Sequence, residues 1–194
     1  RRSSITRRSP FFNTPTYKRT ISTSYGLYIK QDDQMDSQTR AVMFSSESML
    51  WATPEDFFNK LNRKYNFTLD PCADHQNHKC DKYYTEEDDG LSKSWKDDIV
   101  FMNPPYGKHT ATWIAKAWHE AKQGATVVCL VPARTDTRWW HRYCMRASKI
   151  YFVKGRLKFG NSTNTAPFPS AVVVFDPLSQ YELPLQIGEL TNRS

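Results

Sequence analysis

No apolar run in this chain approaches the roughly 18 residues of a membrane-spanning helix, which predicts a soluble protein. Its four cysteines, Cys72, Cys80, Cys129 and Cys144, form no CxxC pair, and no secretory apolar segment precedes them. A reducing compartment is therefore expected rather than a disulfide framework. Acidic side chains are missing from residues 1–30, where seven bases stand alone. The net charge of +7 belongs to that segment, because residues 31–194 carry 20 bases against 20 acids. Residues 1–42 also lack a clear apolar period, are rich in Ser, Thr and Arg, and begin without Met. Such an acid-poor start resembles an organellar transit peptide. The preferred reading is a disordered or non-native extension, with a domain over 43–177 and a tail over 178–194.

What is present suffices for a core: 39% of residues are hydrophobic and 14% aromatic, within the length of one ordinary domain. The neutral remainder is polarised. From Asp81 to Asp98 seven acids face three bases, whereas from Arg134 to Lys158 eight bases face Asp136 alone. An acidic pole beside a basic pole suits a protein that turns one face to a polyanion. Cys72, His75, His78 and Cys80 fall close together, but without the long insert between ligand pairs of a zinc finger. No metal site is expected.

Thr53-Pro54-Glu55-Asp56 reads as a helix start, with Thr53 as cap and Pro54 at the first helical position. Phe57, Phe58, Leu61 and Tyr65 then share one face. Phe67–Leu69 is a short strand ending at Asp70-Pro71, and Ile99–Met102 is another ending at Asn103. Trp113, Ile114, Ala117, Trp118 and Ala121 predict a second helix, stopped by Gly124. Ala125–Val131 is apolar throughout, as in a strand buried on both faces. Asp136 caps a predicted helix through Ala147, and strands at Lys149–Val153, Arg156–Phe159 and Ala171–Phe175 follow. Alternating strands and helices indicate an α/β domain with a mainly parallel sheet. Ligands of such sheets bind beyond the carboxyl ends of strands, where both Asp70 and Asn103 fall.

Asn103-Pro104-Pro105-Tyr106 has its own chemistry. Two prolines in succession make a stiff turn without backbone donors. The Asn103 side-chain oxygen and the Pro104 carbonyl are acceptors, able to hold the two hydrogens of an amino group. That grip draws the nitrogen towards sp³ geometry and frees its lone pair for an electrophilic methyl. Tyr106 adds a flat face for a planar base.

With these residues the chain resembles the S-adenosylmethionine-dependent amino-methyltransferases, whose signature is Asp/Asn/Ser-Pro-Pro followed by an aromatic residue. Further blocks resemble the phage-type DNA adenine methylase (Dam) family: Trp51–Pro54, Leu69–Ala73, Asp89–Leu91 with Trp95, Pro132–Arg134, Gly155–Phe159 and Ala166–Ser170. The resemblance covers about residues 43–177 and implies a compact Rossmann-like methyltransferase fold, ending in an antiparallel strand. It also implies S-adenosylmethionine as cofactor. Asp70, Pro71, Cys72 and Ala73 take the place of the first cofactor-binding loop, although Cys72-Ala73-Asp74 stands where glycine is common. Thr53 and Pro54 match the pair that meets the cofactor's methionine end. Asp89 matches the acid that accepts from its adenine amine, and Glu86 is the choice for its ribose.

Only 32 residues separate Asp70 from Asn103, so the second and third strands must be abbreviated. No long insertion can form a separate recognition domain. Arg134, Arg138, Trp139, Arg156 and Lys158 are therefore the candidates for contacts with double-stranded DNA, by phosphate pairing and stacking. A duplex substrate would have to extrude its adenine. The implied activity is site-specific DNA adenine-N6 methylation, in the cytoplasm of a host cell and without an obligatory protein partner. Two alternatives stand beside it: methylation of RNA adenine or protein glutamine, and an inactive nucleic-acid-binding module on the same fold.

Overall fold

The computed structural model describes residues 51–160, 162, 164–177 and 185–191. The extension predicted over 1–42 is outside these residues. In order come α1 (Glu55–Tyr65), β1 (Leu69–Asp70), β2 (Lys82–Tyr83), β3 (Ile99–Met102), α2 (Thr110–Lys122), β4 (Thr126–Pro132) and α3 (Arg138–Arg142). A 3₁₀ turn (Cys144–Arg146), β5 (Lys149–Lys154), β6 (Ser170–Phe175) and β7 (Gln186–Thr191) complete them.

The seven strands form one mixed sheet in the order β2-β1-β3-β4-β6-β5-β7. Only β6 runs antiparallel, inserted between β4 and β5, and β7 adds a parallel strand beyond β5. This is the Rossmann-like arrangement, with an antiparallel strand near its end, that the resemblance implies. The abbreviation expected between Asp70 and Asn103 takes a particular form: a single two-residue strand, β2, flanks β1.

Side chains of the central strands divide by the two-residue period of a pleated strand. Val100, Met102, Val127, Cys129 and Val131 meet Trp113, Ile114, Ala117 and Ala121 of α2. Phe101, Val128, Leu130, Val172 and Val174 meet Phe57, Phe58 and Leu61 of α1. Helices thus cover both faces, which is why β4 and β6 are apolar at nearly every position. Each such side chain contributes about 1.5–3 kcal/mol through burial. Among the described residues no helix is long and apolar enough to cross a membrane.

Several elements differ from the sequence reading. The segment Arg156–Phe159 is no strand: Gly155, at φ +82, turns the chain out of β5. Its exposed–buried alternation persists, but its backbone makes loop contacts rather than a ladder: Ala166 N–H donates to Leu157 O, Ser162 N–H to Phe159 O and, just beyond, Gly160 N–H to Ala52 O. Pro54, not Thr53, is the cap residue of α1, and no side chain caps that helix. Thr137, not Asp136, caps α3 by accepting from Trp140 N–H, and α3 ends at Arg142 rather than Ala147. Residues 186–191, within the segment read as a tail, form β7 along the whole of β5.

Candidate active site

β1, β3, β4 and β5 all run the same way, so their carboxyl ends share one edge of the sheet. That edge brings together Asp70, Asn103 and the turn beyond Pro132. Met102 is fully buried, and the chain leaves the core at half-buried Asn103. Asn103 Nδ2 donates to the Trp51 carbonyl at 2.8 Å, which fixes the amide so that Oδ1 faces Tyr106. Tyr106 O–H donates to that Oδ1 at 2.9 Å and also reaches the Leu130 carbonyl at 3.4 Å. Burial pushes the Tyr106 phenol up, so it stays protonated and donating. Its ring packs against Trp51, Phe159 and Phe168 at centroid distances of 5.8, 6.1 and 5.4 Å. One lone-pair direction of Oδ1 remains for another donor. Among the described residues no hydrogen bond reaches the Pro104 carbonyl. The turn is closed from behind, where Thr110 Oγ1 donates to the Pro105 carbonyl at 3.2 Å.

Beside this turn is a crevice walled by Trp51, Thr53, Asp70, Cys72, Lys79 and Asn103, with Asn77, Phe101, Pro104 and Pro105 completing it. Asp70 is 4% exposed, and its oxygens accept from Cys72 N–H at 3.2 Å and Lys79 N–H at 3.1 Å. Burial raises its pKa to about 6, although those amides and the Lys79 and His78 charges pull the other way. A cation in the crevice would stabilise the ionised form. Thr53 Oγ1 is buried there without a hydrogen-bond partner. Because Pro54 takes the cap position, the Thr53 hydroxyl is released from helix capping and turned to the crevice. An unpaired buried hydroxyl costs about 1–3 kcal/mol, which a ligand acceptor or donor would recover.

The other expected cofactor residues are arranged around this crevice rather than all within it. Pro71 and Ala73 are buried in the loop after β1, with Ala73 N–H donating to Tyr84 O. Glu86 and Asp89 are half-buried in the loop after β2 and do not wall the crevice. Gly90 joins the two loops. A Cβ there would sit 2.3 Å from the Pro71 carbonyl oxygen, so only glycine permits the approach. Burial, then Glu87, raises the Glu86 pKa. Pro54 borders a different groove, together with Arg156 and Lys158. Asn77 and Lys79 are crevice residues that the sequence pattern did not single out, and Trp51, noted there within the Trp51–Pro54 block, was given no role of its own. Lys79 comes nine positions after Asp70 through an irregular loop, a spacing without periodicity to betray it.

The two histidines between Cys72 and Cys80 have other partners. His78 stacks on Tyr83 at 4.2 Å, its Nδ1 is 3.1 Å from the Cys80 carbonyl, and His75 Nδ1 is 3.2 Å from the Tyr83 hydroxyl. Among the candidates for DNA contact, Arg134, Arg138, Arg156 and Lys158 are exposed along the same edge as Asn103. Trp139 is half-buried, whereas Trp140 is 2% exposed and belongs to the core. Of that aromatic pair, only Trp139 reaches the surface.

A family model described as DNA N-6-adenine-methyltransferase (Dam) matches residues 40–186. The DNA N-6-adenine-methyltransferase of Haemophilus phage HP1 is 29% identical over 152 residues, covering 74% of this chain and 87% of the phage protein. The protein of the same description from Escherichia phage T1 is 29% identical over 110 residues, covering 56% of this chain and 46% of its own.

Proposed function

The chain belongs to the DNA N-6-adenine-methyltransferase family, and from that premise we propose that its Asn103 turn holds the target adenine while the Asp70 crevice holds the methyl donor. Its activity is DNA adenine-N6 methylation. Family membership implies S-adenosylmethionine as donor. The crevice residues suit an amino-acid headgroup. Asp70 would pair with the ammonium, and Thr53 O–H and Lys79 would meet the carboxylate. Cys72 and Ala73 follow Asp70 along the donor, with Asp89 and Glu86 set beyond Gly90 for its adenosine end. Bound there, S-adenosylmethionine supplies an electrophilic methyl on a sulfonium centre.

The protein's own groups then act on the base. Asn103 Oδ1 and the Pro104 carbonyl accept the two hydrogens of the N6 amine and release its lone pair from the ring. Pro105 keeps that turn rigid. Tyr106 orients the Asn103 amide through its hydroxyl and offers its ring to the base. Extrusion of the adenine costs a few kcal/mol, offset in part by these contacts. Arg134, Arg138, Arg156 and Lys158 hold backbone phosphates along the edge, with Trp139 beside them, and short loops read a particular site.

The observation that carries this reading is the orientation of Asn103: the Trp51 carbonyl turns the amide oxygen towards Tyr106, in the wall that also contains Asp70. Incubation with methyl-labelled S-adenosylmethionine and unmethylated duplex DNA, RNA or protein tests it. Label is expected in N6-methyladenine of the duplex. Label in RNA or protein alone, or in none of the three, would refute the reading.

A further inference from the structure

The crossover from β4 to β5 carries Arg134, Arg138, Arg142 and Arg146 at intervals of four residues, all of them exposed. The sheet fixes its direction. Arg134 follows the carboxyl end of β4, whereas β5, parallel to β4, begins at Lys149 on the opposite edge. The arginines therefore descend a flank of the domain, away from the catalytic edge. Crossing a seven-residue strand takes them over roughly 20 Å, about six base pairs of duplex.

The lower half of this ladder rests on an aromatic floor. Arg142 stands over the Tyr143 ring at 5.4 Å and Arg146 over Trp118 at 5.9 Å. Lys122 stands over Trp118 at 4.4 Å, and the Trp118 and Tyr143 rings are 5.6 Å apart. Stacking holds these cations against the surface, so less side-chain entropy is lost when they meet an anion. Among the described residues none of Arg138, Arg142, Arg146 and Lys122 has a carboxylate within 4.0 Å. Lys79 and Lys82, by contrast, are paired with Glu55 and Asp98. Two acids belong to this face: Glu120 is buried and held by Lys116 at 2.5 Å, and Asp136 is exposed at the top of the ladder, between Arg134 and Arg138. Uncompensated cations spaced along a flank repel one another until a polyanion lies across them.

We propose that the α2–α3 flank is a second duplex-binding surface, taking the phosphates of one arm of the DNA beyond the extruded base. The inference rests on the DNA reading of the active site and adds Arg142, Arg146 and Lys122 to the edge residues. Neither a flank with so few acids nor a tryptophan bracketed by two cations is required by methyl transfer itself.

Two duplexes of about 12 and about 40 base pairs, built around an adenine that the wild type methylates, separate edge from flank. With the full chain, the Arg142→Ala/Arg146→Ala variant should raise KM for the long duplex about tenfold and lower its salt slope by about two. The short duplex, placed so that only about two base pairs run from the adenine towards the flank, ends before Arg142 and should change less than twofold, and Arg142→Lys/Arg146→Lys should restore most of the slope. Melting temperature and donor KM report folding independently. Equal effects on both lengths, no effect on either, or stronger competition by RNA than by duplex of the same length would overturn the inference. A wild type that methylates both duplexes beside an indifferent variant sinks the flank alone. A wild type that methylates no adenine in any duplex, so that neither substrate can be built, removes the active-site reading and the flank with it.

Discussion

Asn103 Nδ2 is held by the Trp51 carbonyl and its oxygen is shared with Tyr106, so the amide is oriented before any substrate binds. Preorganised polar groups of this kind act without reorganisation during reaction. Tyr106→Phe keeps the ring and removes the orienting hydroxyl. It should lower kcat about tenfold with KM for DNA nearly unchanged, in steady-state methylation of a fixed duplex. A variant with wild-type kcat would deny the hydroxyl its positioning role. At Asp70 the sign of the pH effect follows from burial. The buried carboxyl titrates near 6 rather than near 3.8, so its ionisation destabilises the free fold by about 3 kcal/mol. That cost grows as pH rises from about 4 to about 6 and is complete above. A donor ammonium selects the ionised form, so donor affinity should fall about tenfold per pH unit below about 6 and level off above it. Calorimetric titration from pH 5 to 8 measures this, and Asp70→Asn should lose both the affinity and its pH dependence. A flat wild-type profile would separate Asp70 from donor binding. Legibility differed among these residues: two prolines and an aromatic after an apolar strand announce Asn103, the Trp51–Pro54 block marks Thr53, and Lys79 joins the crevice only through folding.

At the scale of elements, long apolar runs were easy to read and short ones were not. β3 and β4 are buried on both faces, so composition alone marks them. Arg156–Phe159 alternates like a strand because it lies over Trp51, yet it follows a Gly155 turn and gains no ladder. β7 is mostly exposed, and its pairing with β5 leaves no apolar signature. A difference of one residue at the start of α1 leaves the Thr53 hydroxyl out of helix capping and unpaired in the wall of the crevice. The junction of the Pro71 and Asp89 loops gives this scale its prediction. Gly90→Ala places a methyl against a backbone oxygen, which must push the Asp89 loop away from Pro71. Donor affinity should weaken at least tenfold and the melting temperature should fall by several degrees. Unchanged donor binding would show that the Asp89 loop takes no part in the cofactor site.

For the molecule as a whole, the polarity read from the sequence becomes a polarity along one edge. Acids 86–89 follow β2 on one side of Asn103, while Arg134, Arg156 and Lys158 follow β4 and β5 on the other. The basic stretch then divides in a way that charge counting could not show, because Arg142 and Arg146 descend the flank while Lys154 pairs with Glu189 of β7. Edge contacts to phosphate should make the apparent affinity for duplex fall steeply with salt, and removing Arg156 and Lys158 together should reduce that slope by about two. A salt-insensitive affinity would place DNA elsewhere. Methyl transfer as proposed depends on the pair of acceptors beside the Asp70 crevice. Its most direct test compares wild type with Asn103→Ala at saturating S-adenosylmethionine, counting N6-methyladenine formed in duplex DNA while donor binding is measured on the same preparations. Transfer should fall about a hundredfold or more, with donor affinity changed only a few-fold. Near-normal transfer without the Asn103 amide would contradict it.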